Sequence, residues 1–367
     1  MDFTSLPFIA LLSWLTMWVV TWGVFRWFRR WGIVDKPHLY PHEKWRAPLP
    51  YPGGIVLMLN MFLWSPWIFS AVAEADIKKA IYVIMAGVFT SLLMAWDDQR
   101  RTLSPVLRLW FQIAIGAFFG LTAIKIGYIS NIFGGIISLD QFQLLQWTIL
   151  GKTIYLIPLV VTIGWYVLVI NAINWSDNGR AMTSSVSLVT LIVLGLLSVK
   201  LYLTDTSFAA RNNSVFVFSF LTILLPSLFV FWRYDTRRTC IVGDAGTMFL
   251  GYMIATLAIV SGGKIATASI VLGIYFIDAF YVILGRLRAG KNPMKGDLTH
   301  LHHRMTLMWV EDRFQRYLVM ALSFFFGLGA IFLDTWGKII LFGVICTVVI
   351  YISQIASLIE GVVKKGK

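Results

Sequence analysis

Five stretches of the chain combine residue types that could do chemistry. The first is Ala95-Trp96-Asp97-Asp98-Gln99-Arg100-Arg101, where two adjacent carboxylates end a run without charge from Ile81 to Trp96. Carboxylates beside hydrocarbon need a cationic partner. A divalent metal or a proton-transfer role would answer Asp97 and Asp98. A solvated helix end neutralised by Arg100 and Arg101 would do so too. The second stretch runs from Asn171 to Arg180. Steps of three and four put Asn171, Asn174 and Asn178 on one helical face with Asp177 beside them. Such a face suits a ligand or a neighbouring helix. The third is Gly243-Asp244-Ala245-Gly246, with an acid near a helix N-terminus among small residues that permit close approach. Its plainer reading is a helix cap. The fourth is Asp278, alone inside an apolar run, with Arg286 two turns later, roughly 12 Å along a helix. An acid within a span is a functional candidate, or else an interhelical hydrogen bond. The fifth is the basic interval from Arg286 to Arg304, which holds three of the five histidines, His300, His302 and His303. Zinc would suit the ligand type, but so many neighbouring cations read better as a phosphate-binding surface or a solvated basic loop.

These residues must be held by helices in a membrane. The 367 residues are 58% hydrophobic and only 13% charged, where soluble domains carry roughly 25% charged residues. Runs of about 20 apolar residues predict eleven spans, near 5–25, 54–73, 80–96, 106–124, 153–173, 183–203, 215–232, 245–261, 265–285, 317–333 and 339–360. The expected fold is thus an all-α polytopic integral membrane protein, a single membrane-embedded domain over 1–367, with its first span retained as an anchor. Numbering the loops alternately, with the N-terminus outside and the C-terminus inside, places 23 of the 31 Lys and Arg inside, as the positive-inside rule requires. That bias and anionic headgroups account for the net charge of +13, so no nucleic-acid partner is needed. Cys240 and Cys346 lie far apart, and neither a disulfide nor a metal site is expected of them. The prolines of 37–52 predict an extended inner segment, an anchoring loop or a lid carrying Arg46 toward an anion. The outer stretch 127–150 reads as a short hairpin or re-entrant piece.

In this topology Asp97, Asp98, Asp177, Asp244, His300, His302 and His303 all fall on the inner face. Acids, histidines and many Arg and Lys at the cytosolic membrane surface suit joining a soluble phosphorylated donor to a lipid phosphate. Mg²⁺ would bind phosphate oxygens and a few carboxylates, and phosphoryl transfer needs mainly positioning and charge stabilisation. A transporter would also carry Asp278 and many spans, but transporter sites lie near the midplane in repeated halves, and no two-fold repeat is visible.

Taken together the stretches resemble the bacterial polyprenyl-phosphate N-acetylhexosamine-1-phosphate transferases, in particular the GlcNAc-1-phosphate branch of glycosyltransferase family 4, which is related to the phospho-MurNAc-pentapeptide translocase. The resemblance rests on Val34-Asp35-Lys36-Pro37, Pro50-x-x-Gly53-Gly54, Asp97-Asp98, Asn171-x-x-Asn174-x-x-Asp177, Gly243-Asp244-Ala245-Gly246, Asp278 with Arg286, and His300-Leu301-His302-His303-Arg304, in family order. It implies an enzyme in which a polyprenyl phosphate, undecaprenyl by default, attacks a UDP-amino sugar to give polyprenyl-diphosphate-sugar and UMP, with Mg²⁺ (or Mn²⁺) as cofactor. It also implies the bacterial inner membrane, cell-envelope polysaccharide synthesis and a homodimer. By position, Asp244 would ligate the metal, and Asp97 and Asp98 would assist the metal or handle the lipid phosphate. Asn174 and Asp177 would line the nucleotide site, and Asn171 would contact substrate. Arg46, Asp278, His300, His302, His303 and Arg304 would meet the substrates.

One departure stands out. The family pattern Asp-Gly-x-Asp-Gly reads Asp177-Asn178-Gly179-Arg180-Ala181 here. Either Arg180 adds a phosphate contact and shifts donor choice, or the pocket is degenerate and the chain is a partner or regulator of an active relative.

Overall fold

The computed structural model describes residues 3–35, 47–122, 124–131, 133–141, 146–149, 152–262, 265–290, 300–308 and 310–365. Arg46, Lys36, Pro37, Lys291 and Lys295 lie outside the described residues.

The apolar runs become helices. In chain order these are α1 (Leu6–Arg30), α2 (Gly53–Leu63), α3 (Ser65–Ala71), α4 (Ile77–Arg100), α5 (Pro105–Leu121), α6 (Leu156–Trp175), α7 (Met182–Thr204), α8 (Phe208–Thr236), α9 (Gly243–Val260), α10 (Ile265–Val271), α11 (Gly273–Arg288), α12 (Leu301–Leu307), α13 (Asp312–Phe332) and α14 (Thr335–Lys365). The architecture is a polytopic helical membrane protein. Among the described residues eight helices are long and apolar enough to cross a membrane, and ten spans result if each bent pair counts as one. The bent pairs are α2 with α3, at 53°, and α10 with α11, at 72°. The remaining expected span, 106–124, is the shorter helix α5. At 1.5 Å per residue its 17 residues cover about 25 Å, less than the roughly 30 Å of a hydrocarbon core.

The centre of the molecule is α9, in which every residue except Asp244 is buried. It packs against α2, α4, α6 and α7. Close approach depends on small residues, as usual between membrane helices. A Cβ on Gly251 would meet the Ile170 Cα at 2.7 Å, and one on Gly54 would meet the Ala245 carbonyl carbon at 2.5 Å. Gly53 and Gly54 therefore serve to seat α2 on the start of α9. A buried polar cluster joins α1, α2 and α8: Asn60 Nδ2 donates to Ser13 Oγ (3.0 Å) and Ser227 Oγ (2.7 Å), while its Oδ1 accepts from Thr16 Oγ1 (2.8 Å).

Between α5 and α6 lie two antiparallel hairpins, β1 (Tyr128–Ser130) with β2 (Ile136–Ser138) and β3 (Gln146–Ile149) with β4 (Lys152–Tyr155). They realise the hairpin expected at 127–150. At the other end of the bundle, Val34 and Pro50 form a β-bridge, and Asp35 N–H donates to Leu49 O at 2.9 Å. These contacts pinch together the two ends of the segment that carries Arg46. Pro50 O in turn accepts from Ile241 N–H at 3.0 Å, tying the segment to the turn before α9.

Candidate active site

Helix α9 opens with no side-chain cap from its own strand of sequence. Its cap comes from α4. Asp98 Oδ1 accepts from Asp244 N–H and Oδ2 from Ala245 N–H, both at 3.0 Å. A carboxylate at a helix N-terminus answers orphan N–H groups and the positive end of the dipole. Gly243 makes room for it. Its φ of +69° is left-handed, and a Cβ there would sit 2.9 Å from Asp98 Oδ2. Tyr51 lies beside the same turn, and burial followed by the Asp98 charge pushes its phenol up to about 12.

Asp97 faces the other way and is fully buried. Its Oδ1 accepts from Leu103 N–H at 2.8 Å, closing the α4–α5 turn around Arg101, which has a φ of +53°. Its Oδ2 receives Arg108 Nε at 2.9 Å and Nη2 at 2.7 Å. Arg108 also reaches Asp244, with Nη1 2.5 Å from Oδ2. Asn174 Nδ2 donates to Asp244 Oδ1 at 3.3 Å and to Thr247 Oγ1 at 2.8 Å. Asp244 is thus held on both oxygens, yet its side chain keeps 28% of its surface exposed.

Helix α6 ends at Trp175, and a 3₁₀ turn, Ser176–Asn178, follows. The expected common face of three asparagines therefore stops at Asn174. Asn171 turns toward α5, where Nδ2 donates to Gln112 Oε1 at 2.6 Å and Oδ1 accepts from Gln112 Nε2 at 3.4 Å. Asp177 lies on the turn, with Oδ1 accepting from Thr183 Oγ1 at 3.1 Å. Solvent reaches it, but protein atoms crowd its carboxyl. Desolvation, then the charges of Asp235, Asp244 and Asp98, raise its pKa well above the usual carboxylate range.

Arg180 leaves this recess. It donates through Nη2 to Thr236 O at the C-terminal end of α8, and its own carbonyl accepts from Arg316 Nη1 at 3.4 Å. Burial, then Arg238 and Arg316, lower its pKa. Residue 180 thereby pins the α6–α7 turn, with its guanidinium on α8 and its backbone carbonyl on α13. Ala181 next to it has a φ of +53°, a conformation that suits glycine better.

The histidines arrive on α12. Asp278 caps that helix from α11, with Oδ1 accepting from Leu301 N–H and Oδ2 meeting His300 Nδ1, both at 2.9 Å. His300 is buried, and the rings of His302 and His303 lie 3.8 Å apart. Arg304 stacks over Tyr281 at 4.6 Å. A cavity lined by Trp175, Ser176, Asp278 and His302 connects this group with the α6–α7 turn, and a Cβ on Gly179 would lie 4.0 Å from His302 Cβ. Asp98, Asn174, Asp177, Asp244 and the histidines thus share one end of the bundle, where Asp98 and His300, like Asp97, Asn171, Arg180 and Asp278, are engaged by protein partners.

The sequence-model match decides the family: that of glycosyl transferase family 4 covers residues 80–262, from within α4 through α9. The chain belongs to glycosyl transferase family 4. The chain is 25% identical over 340 residues to the probable undecaprenyl-phosphate N-acetylglucosaminyl 1-phosphate transferase of Bacillus subtilis (strain 168), covering 89% of this chain and 84% of that protein. It is 24% identical over 391 residues to the decaprenyl-phosphate N-acetylglucosaminephosphotransferase of Mycolicibacterium smegmatis, covering 96% and 89%. It is 25% identical over 289 residues to the undecaprenyl-phosphate alpha-N-acetylglucosaminyl 1-phosphate transferase of Haemophilus influenzae, covering 77% and 74%.

Among the described residues no three His, Cys, Asp or Glu side chains gather as a ready-made metal cage. Mg²⁺ does not require one, since it binds through one or two carboxylates plus substrate phosphates and waters. Asp244, partly exposed with Asp98 and Asp177 close enough to act on one another's charge, fits that pattern. Asp97, fully enclosed by Arg108 and Leu103 N–H, does not. Arg108 belongs to none of the five stretches that stand out in the sequence. Its one signal is a cation in the first turn of a helix begun by Ser104-Pro105, where the helix dipole disfavours positive charge. Asp235 is buried, in the last turn of α8, and accepts from Ser184 Oγ at 2.6 Å.

Proposed function

We propose that the chain transfers N-acetylhexosamine-1-phosphate, with GlcNAc-1-phosphate the leading case, from a UDP-sugar to undecaprenyl or another polyprenyl phosphate at the cytosolic face of the bacterial inner membrane, starting cell-envelope polysaccharide synthesis. The observation that carries this reading is the seating of Asp244. It is a partly exposed carboxylate on the first turn of the buried central helix, set between Asn174, Arg108 and the Asp98 cap, at the end of the bundle where His302 and His303 also lie. The relatives' printed names agree with it. Neither alternative is favoured. Asp278, the acid a transporter would use, holds His300 and Leu301 N–H, and Arg180 does not enter the recess.

In the reaction an oxygen of the lipid phosphate forms a bond to the β-phosphorus of the donor. The bond from that phosphorus to the bridging oxygen breaks, and UMP leaves with that oxygen. Mg²⁺ (or Mn²⁺), held by Asp244, would neutralise the diphosphate. Asp98 orients Asp244 by fixing its backbone. Asn174 sets the rotation of the carboxylate, and Asp278 holds the histidine helix where its rings can meet the sugar phosphate. Asp177 lies within electrostatic reach of Asp244 and Asp98 on the α6–α7 turn. Removing a single preorganised group that stabilises transition-state charge typically costs about 10²–10³-fold in rate.

The test is UMP release from UDP-GlcNAc by purified protein with polyprenyl phosphate and Mg²⁺. Asp244→Asn should lose about 10²-fold or more, and a chelator should abolish release by the wild type. No release from the wild type with any UDP-amino sugar would overturn the proposal.

A further inference from the structure

Arg108 grips two carboxylates of unequal kind. Asp97 is fully buried and takes two of its N–H groups, at 2.9 and 2.7 Å, while its other oxygen is closed by Leu103 N–H. Removing a cation from such a carboxylate leaves an uncompensated buried charge, which is strongly destabilising. Asp244 takes only Nη1, at 2.5 Å, on a side chain 28% exposed. The guanidinium fork is rigid and its two ends are separable. It can therefore give up Asp244 without giving up Asp97.

Asp244 Oδ2, the atom Nη1 holds, is also an electron-pair donor that a divalent cation would need. The other oxygen already receives Asn174. A guanidinium and a divalent ion cannot both sit against one oxygen, because their like charges repel. We propose that Arg108 is a positioning residue that sets the affinity of Asp244 for its divalent cation by competing for the same oxygen while staying anchored on Asp97. The inference rests on the reading that Asp244 is the metal ligand. It gives a reason for a cation in the first turn of α5, against the helix dipole. Two carboxylates hold it there, and the exposed one can be handed over.

The experiment measures Mn²⁺ binding to the purified full chain by electron paramagnetic resonance, with no substrate present. Arg108→Lys keeps one cation for buried Asp97, but a single ammonium lacks the fork to reach Asp244 as well. It should bind Mn²⁺ about fivefold to tenfold more tightly than the wild type, the worth of one partly exposed charge-assisted hydrogen bond, at unchanged Tm. If the lysine instead chooses Asp244, Tm falls. The double variant Asp97→Asn/Arg108→Gln removes charge from both ends, and its Mn²⁺ affinity should rise likewise. Affinity equal to or below wild type in both variants overturns the competition. An Asp244→Asn protein that binds Mn²⁺ as well as the wild type overturns instead the assignment of Asp244 as ligand. Loss in Asp244→Asn with no gain in either Arg108 variant sinks the competition alone.

Discussion

Asp98 illustrates how a residue's chemistry and its structural work overlap. Its carboxylate presents as half of an acidic pair, and in the fold it caps the helix that carries Asp244. The arrangement works only because residue 243 has no side chain. Gly243→Ala would force a left-handed alanine, at about 1–2 kcal/mol, and drive a methyl to 2.9 Å from Asp98 Oδ2. We expect thermal unfolding of this variant to move to lower temperature and UMP release to fall with it, since cap and site are one contact. Lost release at wild-type Tm would show that Gly243 serves a ligand and not the cap. Asp97 differs from its neighbour in the opposite sense. Adjacent residues on a helix point about 100° apart, so one faces the α9 terminus and the other the α4–α5 turn. Chain position alone makes them look equivalent.

At the scale of elements, the turn between α6 and α7 carries Arg180, which its pinning to α8 explains. Arg180→Asp would remove the bond to Thr236 O and leave that carbonyl at the end of α8 without its partner. The variant is therefore expected to unfold at lower temperature than the wild type and to gain no activity, read by thermal denaturation alongside UMP release. A revertant with higher activity and unchanged Tm would mean that residue 180 works in the pocket after all. The helix-to-helix ties follow the same logic. Asn60, Asn171 and Asp278 are each polar groups in apolar surroundings, and each is answered by a side chain or backbone group of another helix. The sequence announces that such a residue needs a partner but not which one.

For the whole molecule, the charge bias and the hairpins make opposite ends distinguishable. Phe133, at the exposed tip of the β1–β2 hairpin, is expected outside, and Thr306, exposed on α12, inside. In a Cys346→Ser background, with Cys240 buried, a membrane-impermeant maleimide should label Phe133→Cys in intact cells and Thr306→Cys only after permeabilisation. The reverse pattern would invert the proposed orientation. The sequence by itself determined the membrane class, most span positions, the hairpin region, the family motifs and their crowding at one end, because apolar run length and residue type are local properties. Only the tertiary structure decided that Asp98 caps α9 across 147 residues of chain, that Arg108 joins Asp97 to Asp244, that Asn171 belongs to Gln112 and that Arg180 turns away to α8. Those pairings depend on how closely and at what angle distant helices pack, which periodicity along one helix does not encode.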